Sequence, residues 1–151
     1  MNEQEYAGFW IRTGAALIDT LIMVIITSPI LTLIYGENYW VSESFVQGFW
    51  DLIFSHVLPA VAVVIFWIYK SATPGKMATK LTIVDASTGE KPTTGQFVLR
   101  YIGYFVSIIP LFLGLIWVGV DKRKQGFHDK IANTVVIRSN TSEPVSFETK
   151  Y

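Results

Sequence analysis

Arg12 and Asp19 lie seven positions apart in the run FWIRTGAALIDTLIMVII, Phe9 to Ile26, where almost every other side chain is apolar. Seven residues return a helix to nearly the same face, so the two charges share one stripe, roughly 10 Å apart along the axis. The stem of Arg12 is long enough to carry its charge out to polar surroundings, the ordinary behaviour of a cationic anchor. Asp19 is too short for that. Within a bilayer its carboxylate costs ~2.5–3.5 kcal/mol, so it must be partnered, protonated or turned toward water. Two chemistries fit. Asp19 can bind a monovalent cation or a proton, or it can be a polar latch bonded to Arg12 or to Arg100. Gly14, Ala15 and Ala16 beside it are small enough for another helix to approach closely.

Other titratable residues offer less. His56 lies toward the far end of a second apolar run, too distant from Asp19 for contact, and reads as a packing or water-facing side chain, with a proton relay as the alternative. Pro59 frees the carbonyl of Ser55 and is expected to kink that helix. Asp51, at the outer edge of the same run, reads as an ordinary interfacial charge. Thr73-Pro74-Gly75-Lys76 lacks the earlier glycine and the Ser or Thr of a phosphate loop, and reads as a tight turn. His128-Asp129 alone cannot make a metal phosphohydrolase in a chain with two histidines. There is no cysteine, and no elbow motif sets a nucleophile beside a base. No enzyme activity, cofactor or metal is expected.

These residues need elements to position them. At 151 residues the chain is one domain at most; half of it is hydrophobic, and its formal net charge is zero. That balance gives no basic field for nucleic acid, and a mean hydropathy of +0.40 is unlike a soluble domain. A bilayer core of ~30 Å needs roughly 20 apolar residues as a helix. Three stretches are long enough, Ile11–Tyr35, Phe49–Tyr69 and Tyr101–Val120, and the first and third lack the polar face of a soluble helix. Trp10, Tyr35, Trp50, Trp67, Tyr69, Tyr101 and Trp117 sit near their ends, where interface belts belong. The amino-terminal residues are acidic and no small-residue cleavage site follows, so no removable signal peptide is expected.

Loop charges give an orientation. Gly36–Gly48 carries Glu37 and Glu43 but no Lys or Arg, whereas the next connection holds Lys70, Lys76, Lys80, Lys91 and Arg100. The positive-inside rule places the first loop outside, the second in the cytoplasm and the N-terminus in the cytoplasm. Lys122, Arg123, Lys124 and Lys130 ask for a cytoplasmic location after the third stretch too, where they would meet anionic headgroups. A hairpin reconciles the two flanks: an amphipathic helix Gln96–Ile109 with Gln96, Arg100, Tyr104 and Ser107 as its polar stripe, a break at Pro110, and a return to Val120. A single third span is the alternative. KLTIVDASTGEKP reads as a strand, a turn and the start of a strand, and Asn133–Arg138 as a second β-branched strand; the two can pair only on one side of the membrane. Residues 139–151 read as a loose tail after a domain of residues 1–138.

An arginine at the start of the first membrane helix, an aspartate inside it, a Pro-Gly-Lys turn followed by LTIVD, and a terminal FHDKIANTVV together resemble the RDD family of small bacterial membrane proteins, from about Tyr6 to Ile137. The family is named for one arginine and two aspartates. Arg12 and Asp19 match the first two, and the second aspartate falls at Asp129, with Asp121 as the alternative. The resemblance implies a protein of the bacterial inner membrane with a transport role.

The expectation is therefore an all-α membrane protein with two full transmembrane helices, a proline-broken third segment and a small cytoplasmic β element. Its surroundings are the lipid bilayer and a second copy of itself or a partner membrane protein. In the transport reading Asp19 takes a monovalent cation or proton, Arg12 competes for it when empty, and Asp129 orders the cytoplasmic surface; Arg100, Asp121 and His56 are secondary candidates. The other reading is a non-transporting scaffold that binds lipid or a protein through its basic cytoplasmic face.

Overall fold

In a bilayer no water is available to the backbone, so each apolar run must satisfy its own N–H and C=O groups by coiling into a helix. The computed structural model, which describes residues 5–138, places the first run in α1, Phe9–Tyr35, and the second in a helix α2, Phe49–Lys70. Both are long and apolar enough to cross a membrane. In α1 only Ala15 and Leu31 are buried by protein. The hydroxyls of Thr13, Thr20 and Thr27 each donate to the carbonyl four residues back, so they remain satisfied within the helix. The predicted tail, 139–151, lies outside the described residues.

Two predictions about α2 need correction. Asp51 is no ordinary interfacial charge: it is 2% exposed and accepts from Tyr39 Oη and Ser55 Oγ, both at 2.6 Å, and from the Gln47 N–H at 2.8 Å. It ties the loop 36–48 to the helix, because neither end of a buried carboxylate can be left without a donor. Trp67 is no belt residue either. It is 1% exposed and packs among Phe97, Tyr101 and Tyr104. Residues Leu52–Val57 widen into a π-helical turn just before Pro59, the kind of break a proline without an N–H allows.

After α2 the chain turns through Ser71, in the left-handed region at φ 54°, into a short helix α3, Pro74–Ala78. The predicted tight turn at Thr73–Lys76 is thus the first turn of a helix, with Pro74 where its fixed φ suits and its missing N–H costs nothing. Strand β2, Leu81–Asp85, pairs antiparallel with β3, Thr134–Arg138, from Leu81↔Arg138 to Asp85↔Thr134. No strand follows the turn after Asp85; the sheet's third member is instead β1, Glu5–Tyr6, which pairs with the other edge of β3. The sheet lies at the end of the helix pair where α1 begins and α2 ends. Leu81, Ile83 and Val136 on one face join Trp67, Phe97 and Ala15, while Val84, Val135 and Ile137 pack with Tyr6 on the other.

The third apolar stretch is bent by 115° between two helices, α4, Thr94–Ile108, and α5, Leu113–Ile116. Leu111 and Phe112 both take positive φ at the break. Thr93 and Gln96 close a reciprocal cap at the start of α4. Gln96 also donates to Asp85 at 2.5 Å, which fixes α4 to β2. The chain then reaches helix α6, Phe127–Ile131, beside α4, and Gln125 donates to the Thr134 carbonyl at 2.8 Å. Both flanks of the bent stretch therefore return to the sheet.

Candidate functional site

The polar stripe of α4 faces inward. Arg100 and Ser107 are 0% exposed, and they press on α6 where Gly103 allows contact: a Cβ on Gly103 would stand 2.8 Å from the Cα of His128. This brings Arg100 to Asp129, which is also fully buried. One Asp129 oxygen accepts from Arg100 Nη1; the other accepts from Arg12 Nη1 at 2.6 Å and from the Gly126 N–H at 3.0 Å. Arg12 is committed at every nitrogen, with Nε on the Ala7 carbonyl at 2.9 Å and Nη2 on the Lys124 carbonyl at 2.6 Å. Arg100 Nη1 also donates to Thr134 Oγ1 at 2.7 Å, which carries the network into β3.

A carboxylate between two guanidiniums stays ionised. Burial alone would raise the Asp129 pKa, but Arg100, then Arg12 and the Gly126 N–H, hold it far below the usual carboxylate range. His128 behaves oppositely. Burial pushes its pKa down to about 3, with Asp129 offsetting only part of that and Arg100, Arg12 and Lys76 adding to it. The ring is neutral at pH 7, stacked on Tyr104 at 4.0 Å between centroids. The His128 N–H donates to Ser107 Oγ at 3.1 Å.

Asp19 takes no part in this network. Its Oδ2 accepts from Thr73 Oγ1 at 2.5 Å and its Oδ1 from the Gly75 N–H at 2.7 Å. Asp19 is bonded to neither of the partners offered for a latch, Arg12 or Arg100, because both arginines are spent on Asp129. The latch runs from α1 to the start of α3, and Gly75 permits it, because a Cβ there would lie 2.0 Å from the Ala15 carbonyl oxygen.

Of the secondary candidates, Arg100 joins the buried network and the others stand apart. Asp121 pairs with Lys130 at 2.6 Å and accepts from the N–H groups of Arg123 and Gln125. His56 lies in α2 against Phe45, with its Nδ1 buried and without a hydrogen bond. Thr134 carries no sequence signal, Thr73, Gly75 and Lys76 read only as parts of a tight turn, and His128 only as half of a rejected metal motif. A proline preceded by threonine is a helix-start signal that could have pointed to Thr73; no local pattern marks Lys76. Among the described residues no group of three or more His, Asp or Glu side chains is placed to hold a metal ion.

The trio Arg12, Asp19 and Asp129 is thus divided between two contacts, both at the end of α1 nearest the sheet. Several proteins are similar to this chain in sequence. The uncharacterized protein YckC of Bacillus subtilis is 31% identical over 95% of this chain and 91% of its own. The uncharacterized membrane protein YteJ of the same organism is 28% identical over 87% and 80%. The uncharacterized protein RP437 of Rickettsia prowazekii is 40% identical over 49% of this chain, a match spanning 40% of that protein. No solved structure matches. The RDD family matches residues 6–133, which include both contacts and nearly the whole described fold, and the chain belongs to that family.

Proposed function

We propose that the protein is a non-transporting scaffold of the bacterial inner membrane, holding a small sheet and a basic surface against the cytoplasmic leaflet. The observation that carries this reading is the full commitment of the charged trio. All three nitrogens of Arg12 and both oxygens of Asp129 and Asp19 are engaged by groups of the same chain. Charges fixed in this way specify how α1 docks on α3 and α6. The bent stretch acts as a re-entrant hairpin, since both its flanks meet the sheet. The exposed apolar faces of α1 and α2 lie against lipid, a second copy or a partner membrane protein.

The transport reading keeps one favourable observation: Asp19 is only partly buried, so its outer lone pairs are open to a cation or proton. Liposomes carrying the purified protein separate the two. We expect no sodium, potassium or proton flux above empty vesicles, and a lower melting temperature for Asp19→Asn. A flux that disappears in a folded Asp19→Asn protein overturns the scaffold reading.

A further inference from the structure

Lys76 presents a problem that neither latch solves. It is 8% exposed, and among the described residues no group accepts a hydrogen bond from its ammonium or pairs with it. Its stem is buried while its Nζ keeps accessible surface, and lysines so nearly covered are ordinarily paired. Lys76 lines a cavity of about 350 Å³ between the start of α1, α4 and the bend after Pro110, a volume within the range of small-molecule sites. Arg12 and Arg100 line it as well. Arg100 is fully buried behind this lining, its guanidinium over the rings of Trp67 and Tyr104. It therefore acts on the cavity through its field, while Lys76 is the group with a free hydrogen-bonding capacity. Even with Asp129 and Asp19 set against the three cations, one positive charge remains. The rest of the lining is largely apolar, and includes Phe112 and Ile116, which are more than half exposed.

We propose that this cavity binds the phosphate group of an anionic amphiphile, with Lys76 as its direct ligand and the apolar wall at Phe112 and Ile116 receiving the start of the tail. A cationic group in a site of low polarity attracts an anion far more strongly than one in water, and an apolar wall beside it favours a phosphate that carries hydrocarbon over a free one. The inference rests on the membrane placement proposed above but not on whether the protein transports an ion, so the two fail separately.

The test uses the full chain in a zwitterionic detergent, titrated with short-chain phosphatidylglycerol, short-chain phosphatidylcholine or inorganic phosphate, with melting temperature and native mass spectrometry as readouts. Saturable binding of phosphatidylglycerol is expected, about tenfold or more weaker in Lys76→Met, restored in Lys76→Arg, and unchanged in Lys91→Met, which removes an exposed charge outside the cavity. The melting temperature of each unliganded variant shows that it is folded. Equal losses in Lys76→Met and Lys91→Met reduce the effect to diffuse surface charge and overturn the proposal. So does equal affinity for phosphatidylcholine, or the absence of saturable binding. Equal affinity for inorganic phosphate overturns the amphiphile assignment.

Discussion

At the scale of single residues, the two aspartates of the cytoplasm-proposed layer make a sharp contrast. Asp129 is buried between two arginines, while Asp121 sits in a partly exposed pair with Lys130. Removing one member of a buried charge network leaves its partners uncompensated, typically at ~3–5 kcal/mol, whereas an exposed pair contributes ~1 kcal/mol or less. Thermal unfolding in detergent should therefore show Asp129→Asn strongly destabilised and Asp121→Asn much less so. Acid should act on the same cluster. His128 is neutral in the fold, with a pKa of about 3, and ordinary when unfolded, near 6.5. Between those values the unfolded chain binds the extra proton, so stability falls as pH drops below about 6.5. Asp129, depressed in the fold, adds its own loss once pH falls below the ordinary carboxylate range. Melting temperatures from pH 7 to 4 should decline, and His128→Gln should flatten the upper part of that decline.

At the scale of elements, the contact between α1 and α3 depends on the absence of a side chain at Gly75. A methyl group there meets the Ala15 carbonyl at 2.0 Å, so backbone must separate and the Gly75 N–H must leave Asp19. Gly75→Ala should lower the melting temperature by as much as Asp19→Asn, and the double variant should lose less than the sum of the two, because both break one contact. The helices themselves were legible in the sequence because lipid-facing runs are apolar on all sides, and LTIVD and NTVVIR were legible because β-branched residues cluster there. What escaped was decided by contacts across the fold. Asp51 looked peripheral until Tyr39, Ser55 and Gln47 closed over it. Trp67 looked like a belt residue until α4 packed on it. The Gln96–Ser107 stripe was read as amphipathic, but nothing local indicates that its polar face turns inward to α6. Two-residue β1 is too short to announce itself. The Asp19 partners come from 54 and 56 positions away, beyond any helical or strand periodicity.

At the scale of the whole molecule, the sheet joins three segments that are far apart in sequence, and β3 is its middle member. β1 and β2 touch β3 and not each other. Asp129, which holds Arg12 and Arg100, lies just ahead of that strand. A chain ending at residue 133 would keep α1 and α2 and should still insert in membranes, but β1 and β2 would have no common neighbour. Limited proteolysis of such a truncation in membrane vesicles should cut within residues 71–100, where the longer chain resists.

The order of synthesis then has a consequence. Both spanning helices leave the ribosome well before β3 does, so the bilayer receives its helices while the polar layer is still open and Arg100 has no counter-charge. Completion waits on a strand made late, which means that assembly of this protein is checked by its own carboxyl-terminal half, and a nascent chain arrested early would be a membrane-inserted but unclosed species exposed to degradation.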